Sequence, residues 1–234
     1  MTSEQSAREQ VSAYLLDLYG GDLFAAVREV SEAHRLEHAA SLAAGEQECG
    51  VYTSEPVKMR LLSVLVRASG ARRVLEVGCG LGYSALWLAE AAGPEARVET
   101  IERDPQHARL ANQYVAAAGF TQRVRILEGE ADDLLPGLSG PYDLVHDDGW
   151  FMQEPTYLEA MVGLIRPGGL LAMSNWFPLE DAVTGKPQMD WTSFGFGPDW
   201  PNRFQAYAQK LASHPRLRLA FTIQPWLGLA VKIA

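Results

Sequence analysis

The stretch VLEVGCGLGYS, residues 74–84, joins an apolar strand pattern to a glycine-rich turn and then to a helical pattern. A turn of this kind lets the backbone approach a ligand closely and points helix N–H groups at negative charge. Its glycines Gly78, Gly80 and Gly82 alternate, and Tyr83 stands where the dinucleotide fingerprint G-x-G-x-x-G has its third glycine. The spacing therefore counts against NAD and against an oxidoreductase.

The acidic residues on either side of this turn point to a different nucleotide. Glu76 precedes the glycines, and Glu102 ends the next run with strand character. A carboxylate about 20 residues beyond a glycine-rich turn is placed to accept both hydroxyls of an adenosine ribose. A ribose clamp without a pyrophosphate fingerprint favours S-adenosylmethionine. The alternative is a tight turn that holds no ligand.

Short strand-like runs alternate with helical stretches after Gly70. The strand-like runs are RRVLEV, RVETIE, RVRILEG, YDLVHD and GLLAMSN, and the helical stretches cover residues 83–92, 105–118 and 155–165. Such alternation predicts a parallel sheet with helices on both faces. A glycine-, proline- and tryptophan-rich loop over 176–201 is expected next. A helix to Ala212 and the runs RLRLAFTI and GLAVKI then predict an antiparallel pair at the sheet edge.

The first part of the sequence has a helical pattern. Apolar residues recur at helical spacing over 6–44, with YGGD dividing two helices, and Pro56 suits the first turn of a third helix. We therefore expect an N-terminal helical appendage over residues 1–50 and one α/β domain over residues 51–234.

Composition limits the partners that this chain can bind. Its 234 residues are 47% hydrophobic, and 20 basic against 29 acidic residues give a net charge of −9. This charge works against binding of nucleic acid or of an acidic membrane surface. Two cysteines are too few for a disulfide framework, and neither a signal-peptide pattern nor a membrane-spanning run is present in the sequence. We expect a cytoplasmic protein that acts on a small molecule.

Six segments carry a resemblance to a known family. In order along the chain they are RVLEVGCGLGYSALWLAEA, VETIERDP, VRILEGEADDLLP, YDLVHDDGW, LIRPGGLLAMSN and GLAVKI. They resemble the class I S-adenosylmethionine-dependent methyltransferases, and their order and spacing are similar to the family that includes catechol and caffeoyl-CoA O-methyltransferases. The resemblance covers roughly residues 51–233. It implies a Rossmann-like, seven-stranded, mostly parallel sheet with an antiparallel edge pair, helices on both faces, and a homodimer.

The resemblance also implies which residues surround the cofactor. They are Glu76, Gly78, Gly80, Gly82, Ser84, Glu102, Arg103, Ala131, Asp132, Asp148 and Trp150. Ser84 would bond the methionine carboxylate, Arg103 would pack beside the adenine, and Trp150 would shield the methyl donor. Ala131 and Asp132 would border the adenine edge. Two alternatives stay open, since Ser84 could cap a helix and Asp132 could place a charge at a helix N-terminus.

The family binds a divalent cation, and we predict that this protein does not bind it. In the family, an aspartate after the fourth strand and an Asp-Asn pair after the fifth hold the cation, and the resemblance places Asp148 on the first position. Ser174 and Asn175 stand at the pair, so a hydroxyl replaces a carboxylate and removes one charge from a site for a hard cation such as Mg²⁺. Phe151 stands where the catechol branch has its general-base lysine. We therefore predict methyl transfer without a metal.

Without a metal or that lysine, another group has to accept the proton. His146 lies two residues before Asp148, on the same side of a regular strand, and the pKa of a histidine suits a general base. Asp148 and His146 are therefore the predicted catalytic residues. His146 could instead be a hydrogen-bonded core residue, and Asp147 could be a base or a strand-end residue.

Two further groups of residues allow more than one interpretation. Aromatic residues after the fifth strand could line a pocket for a flat aromatic substrate or pack their loop onto the sheet. These residues are Trp176, Trp191, Phe194, Phe196 and Trp200. His34 and His38 share a helix face, with Glu37 nearby, and could bind a metal, although a solvated polar face is favoured.

These observations predict S-adenosylmethionine-dependent methyl transfer to a small molecule, at a hydroxyl oxygen of an aromatic substrate. Two alternatives use the same cofactor pocket. One is an N-methyltransferase or another S-adenosylmethionine-using enzyme, and the other is a binding protein without catalytic activity.

Overall fold

The computed structural model describes residues 3–18, 20–42, 51–149, 155–186, 190–194, 197–222 and 227–234. Within these ranges the α-helices are α1 (Ser3–Leu18), α2 (Ala25–Leu42), α3 (Pro56–Ser69), α4 (Tyr83–Ala92), α5 (Pro105–Ala117), α6 (Ala131–Leu134), α7 (Pro155–Leu164), α8 (Phe177–Thr184) and α9 (Trp200–Ala212). The strands are β1 (Arg73–Val77), β2 (Arg97–Glu102), β3 (Val124–Glu128), β4 (Tyr142–Asp147), β5 (Ile165–Met173), β6 (Leu217–Thr222) and β7 (Leu227–Lys232). Short 3₁₀ helices lie at Leu135–Gly137 and Trp191–Phe194.

The described strands form one seven-stranded sheet in the order β3-β2-β1-β4-β5-β7-β6. Strands β1 to β5 are parallel, whereas β7 runs antiparallel to both β5 and the edge strand β6. The predicted sheet and its antiparallel edge pair are thus confirmed. The strand order reverses between β1 and β4, and ligands of open α/β sheets bind at such a reversal, beyond the carboxyl ends of the strands.

Helices cover both faces of the sheet, as predicted. Val74 and Leu75 are adjacent on β1, are both fully buried, and belong to different clusters of buried side chains. One cluster includes side chains of α3, α4 and α5, and the other includes side chains of α7 and α9. A strand that is buried on both faces has a nearly continuous apolar sequence, which explains the pattern of β1.

The segment after β5 differs from the expected loop. Helix α8 occupies Phe177–Thr184, with Pro178 in its first turn and Gly185 at its end in a left-handed conformation with φ 65°. Both residues are common end signals of helices. The expectation of a loop was wrong for these residues. The helix has only eight residues, and the glycines, prolines and tryptophans around it dominate the sequence pattern of the segment. Strand β5 also begins at Ile165, before the predicted run.

The N-terminal helices dock on α3 and α4 through the loop between α1 and α2. Tyr83 donates a hydrogen bond from its hydroxyl to Asp22 Oδ1 (3.0 Å), and Arg60 donates to the carbonyl of Gly21. The ring of Phe24 meets that of Trp87 edge to face, with centroids 5.8 Å apart. The helix that follows the glycine-rich turn is therefore joined to the N-terminal helices. A division of the chain at residue 50 stays a prediction.

None of the helices in the described ranges combines the length and apolar character that crossing a membrane requires.

Candidate active site

The glycine-rich turn lies between the ends of β2 and β4. The N–H groups of Gly78 and Cys79 both donate to the carbonyl of Ile101 on β2, at 3.1 and 3.0 Å. Gly78 has a φ of 92°, and a Cβ atom built on it would lie 3.0 Å from the backbone of Asp148. Glycine satisfies both the left-handed conformation and the close approach. The turn is thus packed against the residue that follows β4.

Glu102 lies at the edge of this turn, at the end of β2. Its Oε2 accepts a hydrogen bond from Gly80 N–H (2.7 Å), and its Oε1 accepts one from Asp104 N–H (3.0 Å). The side chain is 9% exposed, and His107 Nδ1 lies 3.8 Å from Oε1. Two backbone amides therefore hold the Glu102 carboxylate in place beside the glycine-rich turn. A ribose that binds at this turn would meet that carboxylate.

Glu76 begins a buried chain of hydrogen bonds that crosses the sheet. Its Oε2 accepts from Thr100 Oγ1 (2.8 Å), and its Oε1 lies 3.0 Å from His146 Nδ1. His146 Nε2 lies 3.0 Å from Ser174 Oγ. Glu76 and His146 are both fully buried. With partners on both ring nitrogens, His146 has the contacts of a hydrogen-bonded core residue and is linked to Lys58 through the buried Ser174. Its role as a base stays a prediction.

Sequence reasoning missed Lys58 of α3, whose ammonium lies at the centre of the site. Lys58 Nζ donates to Asp148 Oδ1 (3.3 Å) and to Ser174 Oγ (3.1 Å), and Ser54 Oγ donates to Asp148 Oδ2 (2.6 Å). Asn175 Nδ2 lies 3.2 Å from Asp148 Oδ1. We call these five residues the Lys58 cluster. The side chains of Lys58 and Asp148 are 8% and 11% exposed.

A signal for Lys58 is present in the sequence. Lys58 precedes Leu62 by four residues and Val66 by eight, which is the spacing of one helix face, and all three are buried. A lysine is almost never buried unless it is paired. Helical phase therefore indicates that Lys58 has an acidic partner, although it does not indicate which one.

The electrostatic surroundings keep Asp148 ionised. Burial by itself would raise the pKa of this carboxyl group, but the Lys58 ammonium, His146 and hydrogen bonds from Ser54 and Ser174 outweigh burial and lower the pKa to about 2. The cluster therefore contains a carboxylate and an ammonium in direct contact.

Among the described residues, an ammonium group lies where the resemblance implies a divalent cation. The Lys58 ammonium already lies between Asp148 and Ser174, the positions that would hold the metal, and Ser174 supplies no charge. A divalent cation prefers several anionic oxygens and would be repelled by an ammonium at this distance.

Asp147 does not supply the missing carboxylate, because it faces the other side of β4. Its Oδ1 accepts from Gly149 N–H (3.2 Å), and its Oδ2 has no hydrogen-bond partner in the described part of the chain. Burial raises the pKa of Asp147 to about 7. Burial, and after it the Asp147 carboxyl group, also raises the pKa of Tyr157 and of Tyr207. Asp147 thus lies in the core beside α7 and α9.

Two residues predicted at the cofactor lie close to the turn. Ser84 is buried in the first turn of α4. The N-cap of α4 is Gly82, so the alternative of Ser84 as the helix cap is wrong. Arg103 is exposed and directly follows β2. The contacts predicted between these two side chains and the cofactor stay predictions.

The residues predicted at the adenine edge lie at the start of α6. Ala131 is buried, and Asp132 is exposed in the first turn. This position agrees both with a contact to adenine and with a charge placed at a helix N-terminus. Trp150 and Phe151 lie outside the described residues.

The tryptophans after β5 pack this segment onto the sheet. Trp176, Trp191 and Trp200 are each at most 4% exposed. Trp176 Nε1 donates to the carbonyl of Met173 (2.8 Å), and its ring lies 5.0 Å from that of Phe204. These three tryptophans therefore pack their segment onto the sheet, which is the second of the two interpretations that the sequence allowed. The side chain of Phe194 and all of Phe196 lie outside the described residues.

His34 of α2 is half-buried and packs against α5. Its ring meets that of His107 edge to face, with centroids 5.1 Å apart. The expectation of a solvated face is therefore wrong for His34, because α2 covers the side of α5 next to Glu102. The side chain of His38 lies outside the described residues, and the described ones contain no group of three His, Cys, Asp or Glu residues that could hold a metal ion.

The family model and the relatives described here are all O-methyltransferases. The sequence matches the family model for O-methyltransferases over residues 34–232. A catechol O-methyltransferase of Niastella koreensis is 32% identical over 174 residues, which cover 71% of this chain and 72% of that protein. A catechol O-methyltransferase of Mycobacterium tuberculosis is 40% identical over 117 residues. That second match spans about half of each protein, 50% of this chain and 53% of the relative.

Among solved structures, the O-methyltransferase TomG of Streptomyces achromogenes, which is involved in tomaymycin synthesis, is similar over nearly all of its length. It is 25% identical, has a TM-score of 0.74, and the match covers 96% of each chain. Its crystal structure is a complex with S-adenosylmethionine.

Proposed function

Because this chain belongs to the O-methyltransferase family, we propose that it transfers the methyl group of S-adenosylmethionine to a hydroxyl oxygen of a small aromatic molecule, without a divalent metal. The observation that carries the proposal is the position of the Lys58 cluster next to the glycine-rich turn. A Cβ atom on Gly78 would lie 3.0 Å from the Asp148 backbone. The turn predicted to bind the cofactor is therefore in contact with the Lys58 cluster.

The cofactor is assigned to the turn and its surroundings. We propose that Glu102 binds the ribose hydroxyls and that Ser84 and the first N–H groups of α4 bind the methionine carboxylate, since a helix N-terminus favours an anion. Arg103, Ala131 and Asp132 would then surround the adenine. The complex of TomG with S-adenosylmethionine supports the cofactor, because TomG has the same fold over nearly all of this chain.

The chemistry needs little beyond positioning. S-adenosylmethionine supplies a methyl group on a positively charged sulfur, and transfer breaks the bond from sulfur to carbon and forms one from oxygen to carbon. The residues of this chain have to place the acceptor oxygen in line with that bond and keep water away. Asp148 and Ser54 are joined by a 2.6 Å hydrogen bond, and together with Lys58 they provide fixed polar contacts for the acceptor.

An aromatic acceptor is proposed from the relatives. Two of the proteins that this chain resembles are named catechol O-methyltransferases. A phenolic hydroxyl loses its proton more readily than an aliphatic one, so the ordinary acidity of a phenol reduces the need for a strong base in the site. A cytoplasmic location also stays a prediction from the composition.

Binding and turnover test the function together. Calorimetry with S-adenosylmethionine and with S-adenosylhomocysteine should show one site per chain, and a panel of phenols, catechols and amines should yield methylated phenols. Cofactor binding without turnover of any compound would support the binding-protein alternative. Methylation of amines alone would support an N-methyltransferase.

We expect the activity to survive exhaustive chelation. The reason is that Lys58 supplies the positive charge between Asp148 and Ser174, where the family has its metal. Turnover of a catechol should be measured before and after incubation with excess EDTA, and again after addition of Mg²⁺. Complete loss with EDTA and recovery with Mg²⁺ would contradict metal independence.

We also expect a homodimer. Apolar side chains of α1 and α3 are exposed in the single chain, including Val11 (58%), Tyr14 (66%), Leu18 (60%) and Val64 (62%). A second copy of the chain would cover such exposed apolar side chains. Size-exclusion chromatography with light scattering should give twice the mass of 25.7 kDa. A monomer at micromolar concentration would contradict this prediction.

A further inference from the structure

We propose that Lys58 is the cation that binds the acceptor oxygen, so that its ammonium group does in this enzyme what a bound metal ion does in its relatives. The proposal rests on the proposed function, because it concerns the acceptor of that same reaction. The ligand class that it names is an aromatic hydroxyl that ionises, such as a phenol or a catechol.

The number of donors on the ammonium group is the first argument. A lysine ammonium has three N–H donors. Lys58 uses two of them, toward Asp148 Oδ1 (3.3 Å) and Ser174 Oγ (3.1 Å), and the third has no partner among the residues that the structure describes. The Lys58 side chain is 8% exposed, so the described residues do not enclose it completely. The third N–H is therefore the donor that an acceptor oxygen can use.

The position of the ammonium group is the second argument. Lys58 bonds to Asp148 and Ser174, which directly follow β4 and β5, and Asp148 packs against Gly78 of the cofactor turn. Ligands of open α/β sheets bind at this edge of the sheet. An oxygen that is bonded to Lys58 thus lies next to the turn to which we assign the methyl donor.

The way in which the ammonium group is held is the third argument. Ser54 and Asn175 both contact Asp148, and the buried Glu76–His146 pair holds Ser174 from behind. Glu76 and His146 do not touch an acceptor and act as positioning residues. A lysine that is fixed from both sides loses little entropy when it binds an acceptor, which is the requirement for a preorganised electrostatic contact.

The hydrogen bond from the ammonium group favours an ionised acceptor, because an oxygen anion accepts it more strongly than a neutral hydroxyl does. Asp148 neutralises Lys58 in the free protein, so a neutral hydroxyl gains only a hydrogen bond. When the hydroxyl loses its proton to solvent before the acceptor is enclosed, the oxygen enters as an anion and gains a charge-assisted contact with the ammonium. The oxygen electron pair then forms the bond to the methyl carbon, and the electrons of the broken bond remain on sulfur, which becomes a neutral thioether.

A spectroscopic probe tests the contact separately from turnover. 4-Nitrocatechol absorbs at longer wavelength when one hydroxyl is ionised, and it can be titrated into protein saturated with S-adenosylhomocysteine. We expect the wild-type protein to bind the ionised form and the Lys58→Met variant to bind it about tenfold more weakly, with the absorption of the neutral form. Lys210→Met, on the exposed side of α9, is the matched control and should behave as wild type.

A second variant distinguishes loss of the ammonium group from loss of folding. Lys58→Met leaves the Asp148 carboxylate buried without its partner, which destabilises proteins. The double variant Lys58→Met/Asp148→Asn removes both charges together, and we expect it to remain folded by circular dichroism and still fail to shift the spectrum of 4-nitrocatechol. A wild-type spectrum in either folded variant would overturn the proposal.

Replacing the ammonium by a metal gives an independent test. The double variant Lys58→Ala/Ser174→Asp removes the lysine and restores the carboxylate of the family, and Mn²⁺ binding can be followed by electron paramagnetic resonance. We expect it to bind Mn²⁺ at least about tenfold more tightly than the wild-type protein. Equal binding by the two proteins would show that Lys58 does not occupy the cation position.

The two proposals can fail separately. If the wild-type protein does not bind S-adenosylhomocysteine in calorimetry, the proposed function is wrong. If it binds S-adenosylhomocysteine and methylates a catechol, but Lys58→Met leaves the bound spectrum unchanged, only the role of Lys58 is wrong.

Discussion

Replacing Glu102 by alanine is expected to weaken the binding of S-adenosylmethionine by about a hundredfold. A carboxylate that accepts both ribose hydroxyls makes two charge-assisted hydrogen bonds, and their loss amounts to about 3 kcal/mol. The same carboxylate also accepts hydrogen bonds from Gly80 N–H and Asp104 N–H, so the substitution removes a support of the turn as well. Isothermal titration calorimetry measures the change in affinity.

Two comparisons identify the cause of that loss. Glu128 is paired with Glu102 in the register of β3 and β2 and is exposed, so Glu128→Ala changes the net charge equally and should leave the affinity unchanged. Glu102→Gln keeps the shape of the side chain and should give an intermediate affinity. Unchanged affinity in Glu102→Ala would remove the ribose assignment.

Replacing Gly78 by alanine is expected to have the largest effect on the protein as a whole. An alanine there needs a left-handed conformation with φ near 92°, and its Cβ would lie 3.0 Å from the carbonyl carbon and oxygen of Asp148. Backbone atoms cannot rotate away as a side chain can, so the end of β4 has to move. We expect a loss of about 3 kcal/mol in the free energy of unfolding, which lowers the melting temperature by roughly 6–12 °C.

Gly119 provides the matched control for Gly78. It has a φ of 80°, but a Cβ atom on it would have no atom within 4 Å. Gly119→Ala therefore carries only the conformational cost, about 1 kcal/mol or roughly 2–4 °C in melting temperature. The Gly78→Ala variant should also lose cofactor binding and disturb Asp148, whereas Gly119→Ala should bind normally. Equal melting temperatures for the two variants would show that the contact with Asp148 has no structural importance.

The fold could be predicted because its elements have local signals. The helix that starts at Tyr83, the strand that ends at Glu102 and the edge pair after Ala212 all follow from periodicity and turn residues within a few positions. Helix α8 was missed because its apolar face is short and lies among tryptophans that pack on the sheet. Trp176 could not be distinguished from a pocket residue, since burial depends on what the rest of the chain places over it.

The sequence by itself determined the parallel sheet, the glycine-rich turn with Glu102 beside it, and a serine, Ser174, where the resemblance implies a carboxylate. Only the tertiary structure showed which charged group lies between Asp148 and Ser174. Lys58 is 90 residues from Asp148 and 116 from Ser174, and helical phase shows only that this lysine is buried. The packing of α3 against α4, at the carboxyl ends of the strands, brings these groups into contact, because a buried ammonium is stable only where opposite charge and hydrogen-bond acceptors surround it.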